Sequence, residues 1–427
     1  MNKILYPSRE DWSEILKRPT QTVADIEQTV NQIFEEIKVK GNAAVAKYTE
    51  LFDGIKLADL RVSKAEVQKA EKEISQDLKD AIGLAKSNIE KFHRAQKTDR
   101  VSVETVAGVS CWQEKKPIQK VGLYIPGGTA PLFSSILMLA IPASLAGCEE
   151  IILCTPPDKQ GNVNPAILYT ANLCGVTKIF KIGGIQAIGA MTFGTEDVPQ
   201  VYKIFGPGNQ FVTVAKQLAT KYQVAIDMPA GPSELLVFAD GAANAAYIAS
   251  DLLSQAEHGK DSQVIMVTTS QDLMDRVSDE VEVQLKELPR MAIAEKAIEN
   301  SRLILVGSNE EALDLINEYG PEHFIISSEN EEYFVNNVRN AGSVFIGSYT
   351  PESAGDYASG TNHTLPTNGY AKQYSGVNLD SFTKSITFQK ISKEGIKNIG
   401  PSIELLAEAE GLQAHKNAVT LRLKDLE

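Results

Sequence analysis

The sequence predicts an α/β protein: two parallel-sheet units of similar size, a helical N-terminal region and a small C-terminal arm. Three observations carry this. Between residues 121 and 226, short apolar runs alternate with Gly-containing loops and helical stretches, the pattern of a parallel sheet with helices on its faces. The same alternation resumes between residues 235 and 346. The first hundred residues instead show helical spacing, and the segment after Phe382 breaks from both patterns.

In chain order, residues 22–50 carry apolar positions at mixed three and four spacing, with Gly41-Asn42 as an end or interruption. Residues 63–93 repeat the spacing with many charges between, and His93 on that charged stretch is expected to be solvated. A strand then enters a Gly loop at 121–128, and a helix follows at 132–145. Further strands fall at 151–154, 178–182, 201–205 and 224–226, with the loops Gly183-Gly184 and 206–209 between them. The second set lies at 235–238, 264–268, 303–306, 324–327 and 343–346, with an amphipathic helix at 270–285. Two such units suggest a duplicated Rossmann-like architecture. The tail is a short strand at 385–391 and a helix from about Ser402, brief enough to pack on a neighbouring subunit. Residues 102–119 take no role in this reading.

Composition narrows the partners. The 427 residues suggest about three domain-sized units. A net charge of -13, with scattered Lys and Arg, argues against nucleic acid and anionic membrane. Cys111, Cys148, Cys154 and Cys174 form no CxxC pair and sit in or near apolar runs, so they are expected to be buried thiols in a reducing compartment. No signal-peptide core opens the chain, and the longest apolar run, 134–147, is short and contains Pro142. A soluble cytoplasmic protein is expected.

The chemistry centres on residues 226–259, a strand end broken by Pro229, Gly231 and Pro232, then an apolar run, then an Ala-rich helix. Gln255 and His258 share a helix face, and Gly259 looks like the stop just beyond them. Of five histidines, His258, His323, His363 and His415 lie in polar or turn-rich strings; with Asp356, Glu322 and Glu410 nearby in kind, a shared site is expected. His258, His415 and Asp356 suit zinc or a similar divalent ion, and Gln255 would be an unusual amide ligand. Glu322-His323, after Gly320-Pro321 at the mouth of a strand, offers an acid and an imidazole for two separate proton transfers. The Gly loops could admit a dinucleotide, though none reads GxGxxG.

These residues resemble a family. IDMPAGPSELLV, SDLLSQAEHG, GPEH, SAGDYASGTNHTLPT and EGLQAHKNAVTLR, with VGLYIPGG, IGGIQAIGA and GPGNQFV, are similar to the motifs of histidinol dehydrogenase. The resemblance implies a zinc-dependent, NAD-linked oxidation of L-histidinol to L-histidine by a homodimer with two incomplete Rossmann-like domains. It implies zinc on Gln255, His258, Asp356 and His415, the last from the partner subunit. Substrate would touch these ligands together with Ser233, His323, His363 and Glu410, and NAD would touch Tyr124, Gln186 and Asn209. The implied division is an N-terminal helical arm at 1–25 and a first α/β domain with its helical part at 26–118 and its metal and catalytic part at 234–380. An NAD-side domain at 119–233 and an arm to the partner at 381–427 complete it. A zinc hydrolase acting on a small imidazole- or amine-containing substrate is the rival expectation; it would turn over without NAD.

Overall fold

The computed structural model describes residues 1–19, 24–127, 131–229 and 231–426; Gly128, at the end of the first Gly loop, lies outside them. The chain opens with strand β1 (Asn2–Leu5) and a single turn α1 (Trp12–Ile15), followed by α2 (Ala24–Lys40), α3 (Asn42–Asp53), α4 (Lys64–Glu73) and α5 (Gln76–Ala95). Gly41, at φ 53°, separates α2 from α3, and a capping box between Ser63 and Glu66 starts α4. Then come β2 (Val101–Val106) and β3 (Val109–Pro117), followed by a first alternating series: β4 (Lys120–Tyr124), α6 (Phe133–Ala146), β5 (Glu150–Thr155), α7 (Pro165–Leu173), β6 (Lys178–Lys181), α8 (Gly184–Phe193), β7 (Lys203–Phe205), α9 (Gln210–Ala219) and β8 (Ala225–Ile226).

The second series is β9 (Glu234–Ala239), α10 (Ala245–Ala256), β10 (Gln263–Thr268), α11 (Gln271–Leu285), α12 (Met291–Glu299), β11 (Arg302–Leu305), α13 (Asn309–Tyr319), β12 (His323–Ser327), α14 (Glu331–Asn337), β13 (Ser343–Ile346) and α15 (Glu352–Tyr357). The chain closes with β14 (Thr383–Ile391), α16 (Lys393–Ala409) and α17 (Gln413–Lys424).

The first series forms a parallel sheet in the order β6-β5-β4-β7-β8. The second forms β1-β11-β10-β9-β12-β13, also parallel. Counted from β4 and from β9, the two series each run 3-2-1-4-5, the order of a Rossmann sheet lacking its sixth strand, and β1 adds a further edge strand beside β11 in the second. β9 and β10 are buried along their whole length, as strands covered on both faces must be, which is why they read as unbroken apolar runs.

Three expectations are corrected here. The N-terminal segment is not a helical arm: β1 is the edge strand of the six-stranded sheet, bonded to β11. The helices between residues 24 and 95 do not belong with 234–380; α2 and α3 cover one face of the five-stranded sheet, and α4 and α5 cover the other. Periodicity marks a helix's apolar face but carries no information about the sheet it meets. His93 is not solvated: it is fully buried, with Nδ1 2.9 Å from the Ile89 carbonyl and Nε2 3.3 Å from Asn362 Nδ2.

Residues 102–119 also acquire a role. β2 and β3 join β14 in an antiparallel sheet, β14-β3-β2, that carries α16 and α17. All four cysteines are free, with Cys154 and Cys174 buried and Cys111 and Cys148 half-buried. Among the described residues no helix is long and apolar enough to cross a membrane.

Candidate active site

β8 ends at Ile226 and β9 begins at Glu234, seven residues on, and one cavity is lined both by Gly206 and Asn209, after β7, and by Ser233 and Glu322, just before β9 and β12. Glu322-His323 stand at the start of β12, on the amino edge of its sheet. The rule for α/β sheets predicts a carboxyl-end position instead; here the pair stands at the opposite end of its sheet, where Glu322 shares a cavity with the loop after β7 at the first sheet's switch point between β4 and β7.

At that switch point two cavities adjoin. One, of about 1130 Å³, is lined by Tyr124, Gln186 and Asn209, with Asp53, Pro156 and Phe211. The other, of about 250 Å³, is lined by Ser233, His258, Glu322 and His363, and again by Asn209. Asn209, which lines both cavities, uses its side-chain oxygen to cap α9 by accepting from the Val212 amide (3.1 Å). The Tyr124 hydroxyl accepts from Gly184 N–H at 3.1 Å, so the protein itself occupies the start of α8. That fits the absence of a GxGxxG phosphate cradle. Gln186 is fully buried; its Nε2 donates to Asp53 Oδ2 at 3.3 Å and its Oε1 has no partner.

Burial pushes the Asp53 carboxyl up to about 6, with the Gln186 bond opposing. The folded protein therefore holds a proton that the unfolded chain, with a carboxyl near 3.8, releases. Its contribution is complete below about pH 4 and disappears as pH rises through about 6. Asp53→Asn is therefore expected to gain melting temperature relative to the parent across that window. A difference that stays constant from pH 4 to 8 would overturn this.

Glu322 and His323 are both buried, neither facing water alone. The His323 ring places Nδ1 3.2 Å from the Glu234 carbonyl and 3.7 Å from Glu322 Oε2. Its Nε2 lies 3.7 Å from Asp356 Oδ1 and has no hydrogen-bond partner among the described residues. Burial pushes His323 down to about 4, so the ring is neutral at physiological pH. Burial raises Glu322 well above the usual carboxylate range, opposed by the hydrogen bond from Glu234 N–H.

The other expected residues divide. Gln255 sits in the last turn of α10, fully buried, with neither amide atom partnered among the described residues. His258, just past the helix, keeps an exposed face in the cavity wall, yet enough protein surrounds it to lower its pKa, with Asp356 opposing. His363 bonds the Asp356 carbonyl through Nδ1 (2.9 Å) and the Ser135 hydroxyl through Nε2 (3.1 Å). Glu410 and His415 lie apart, exposed, at the end of α16 and in α17.

One buried acid was missed. Glu352 is 1 % exposed, has Oε1 3.5 Å from His323 Nδ1, and is pushed up by burial. His323, Glu352 and Asp356 bring one ligand atom each within 4.8 Å of one another. Its four-residue spacing from Asp356 put both acids on one helix face, which was the available signal.

Paired Rossmann-like units with a buried acid–imidazole centre between them define an α/β oxidoreductase. The family model described as histidinol dehydrogenase matches residues 16–423. Histidinol dehydrogenase of Bacteroides thetaiotaomicron is 60% identical over 426 residues, covering all of both chains. That of Escherichia coli K12 is 51% identical, over 98% of this chain and 96% of its own. The crystal structure of histidinol dehydrogenase from Elizabethkingia anophelis superposes with a TM-score of 0.97 at 56% identity, covering 100% of this chain and 98% of that one. The chain belongs to the histidinol dehydrogenase family.

Proposed function

We propose that this enzyme oxidises L-histidinol to L-histidine through bound L-histidinaldehyde, with two NAD molecules in turn and one zinc per subunit, as the last step of histidine biosynthesis in the cytoplasm. The observation that carries the reading is the neutral, buried His323 beside Glu322, which lines a cavity that shares Asn209 with a dinucleotide-sized one.

The residues fit both groups. An amide with both polar atoms buried and unpartnered, as at Gln255, is costly unless something binds it. With His258 and Asp356 it gives the nitrogen and oxygen donors zinc takes. Zinc would anchor the substrate's imidazole and amine, and NAD would accept the hydride. His415 and Glu410 complete the site from a second subunit, Glu410 accepting a hydrogen bond from the substrate's amine. The arm that carries them exposes Leu405, Leu406, Leu412 and Leu421, an apolar surface that supports a homodimer.

His323 takes the alcohol proton at Nε2, its one unpartnered nitrogen, as the carbon-bound hydrogen leaves as hydride. Glu322 then removes a proton from water as it adds to the aldehyde, while His323 returns its proton to the carbonyl oxygen, giving the hydrate and freeing Nε2 again. From that hydrate His323 takes a second hydroxyl proton while the second hydride leaves the same carbon. A carboxyl raised by burial is a stronger base once ionised, which suits this use of Glu322. Ser233 and His363 line the substrate cavity, and Tyr124, Gln186 and Asn209 line that of NAD.

Two donor sets compete for the metal, because Glu352 and His323 also flank Asp356. A metal held by His323 would consume the nitrogen that must act as base. His258→Asn is therefore expected to lose bound zinc, and Glu352→Gln to retain it, by metal analysis of purified protein. Zinc lost from Glu352→Gln and kept by His258→Asn would reassign the site.

The reading as a whole is tested by counting NADH per histidine formed from L-histidinol, before and after chelation. Two NADH per histidine, abolished by the chelator and restored by zinc, is expected. Turnover of metal-loaded protein without NAD, or none with it, would overturn it.

A further inference from the structure

Glu234, the first residue of β9, is 2 % exposed, an acid at the head of an otherwise apolar run. Its two peptide groups are spent on the catalytic pair. The amide donates to Glu322 Oε2 at 2.8 Å, and the carbonyl lies 3.2 Å from His323 Nδ1. The β9–β12 ladder starts with Leu235 opposite His323, so the Glu234 amide lies outside it. The carboxylate is gripped from behind. Arg18 holds it with two bonds, Nε to Oε1 at 2.5 Å and Nη2 to Oε2 at 2.9 Å, and Asn368 N–H adds a third at 2.6 Å. The same guanidinium donates to the Tyr319 carbonyl at 2.9 Å and lies 3.9 Å over the Tyr319 ring. Tyr319 ends α13, three residues before Glu322.

We infer that Glu234, locked by Arg18, is the positioning residue that sets the geometry of both catalytic side chains. Its carbonyl takes the Nδ1 proton of His323, which fixes the tautomer and leaves the Nε2 lone pair as the base. Its amide fixes one oxygen of Glu322 and leaves the other for water. Arg18 supplies the rigidity, because one planar fork ties the start of β9 to the turn that delivers β12. A buried ion pair of this kind adds little net stability over apolar replacements, so orientation is the effect that distinguishes it.

The inference rests on the roles of His323 and Glu322 proposed above, and the test separates the two. Arg18→Lys keeps the charge and loses the fork. The double variant R18M/E234L replaces the pair by apolar side chains and avoids a stranded buried charge. Both are purified, checked for zinc content and melting temperature, and assayed with L-histidinol and with L-histidinaldehyde. In each, kcat is expected to fall ~10–100-fold in both half-reactions together, with KM for histidinol little changed and zinc retained. A merely structural role would lower the melting temperature and leave kcat of the folded protein alone. Folded variants with parental kcat, or with a loss confined to one half-reaction, would overturn the inference. Failure of the parent to yield two NADH per histidine would instead overturn the proposed function.

Discussion

Replacing His323 with Asn is expected to lower the rates of histidinol and of histidinaldehyde oxidation alike, each by ~10²–10⁴-fold, the usual worth of a general base. Asn fills much of the same volume and can still donate to the Glu234 carbonyl, so the fold should tolerate it. What it lacks is a basic nitrogen at the position of Nε2, where His323 has no protein partner and Asp356 stands 3.7 Å away. Both hydride departures need a hydroxyl proton removed, so both half-reactions should suffer. Glu322→Gln makes the contrast. Its amide can still accept from Glu234 N–H, and only the water step loses its base, so aldehyde oxidation should fall far more than alcohol oxidation. Single-turnover rates from each substrate decide the matter. Parallel losses in Glu322→Gln would remove Glu322 from the water step, and a His323→Asn enzyme with near-parental rates would remove His323 as base.

The second large effect is structural and falls on the loop between the cavities. Lys216 and Asp227 form an ion pair at 2.5 Å with side chains 3 % and 1 % exposed. Lys216 also donates to the Gly206 carbonyl and Asp227 Oδ2 accepts from Gly206 N–H, both at 2.8 Å. Both polar groups of one residue are thus fixed by the pair. Gly206 needs it, for its φ is 129° and a Cβ there would lie 2.0 Å from the Tyr124 carbonyl oxygen. Lys216→Ala leaves a buried carboxylate uncompensated, expected to cost ~3–5 kcal/mol. A fall in melting temperature and a weaker NAD interaction should appear together, since Asn209 follows the loop. The double variant K216M/D227L should recover much of the stability. Lys216→Ala melting with the parent would contradict this account.

How far the sequence disclosed this arrangement depends on the kind of interaction. Strands buried on both faces announce themselves as apolar runs between turn residues, so β4 to β13 were legible, as was the repeated strand-helix order. The motifs around His258, His323, His363 and Asn209 lie in loops and strand ends that converge on one place. Pairing between distant segments was not legible. β3 gives no sign that its partner is β14, some 270 residues on, and four residues of β1 are too few for a pattern. Buried charge was also hidden. Glu234, Glu352, Lys216 and His93 read as polar residues until their partners are known, because a side chain's composition does not reveal the neighbour that satisfies it.

The pairing of β1 with β11 has a consequence for how the molecule comes into being. Residues 2–5 leave the ribosome first, but residues 302–305, to which they bond, follow ~15–60 s later at ordinary rates of synthesis. By then the five-stranded sheet, complete at residue 226, has had time to close around its own helices. Arg18 waits as well, since Glu234 and Tyr319 both arrive after that sheet. Growing chains should therefore carry a finished five-stranded half long before the Glu322-His323 surroundings are complete, and the enzyme's first segment should be among the last to dock.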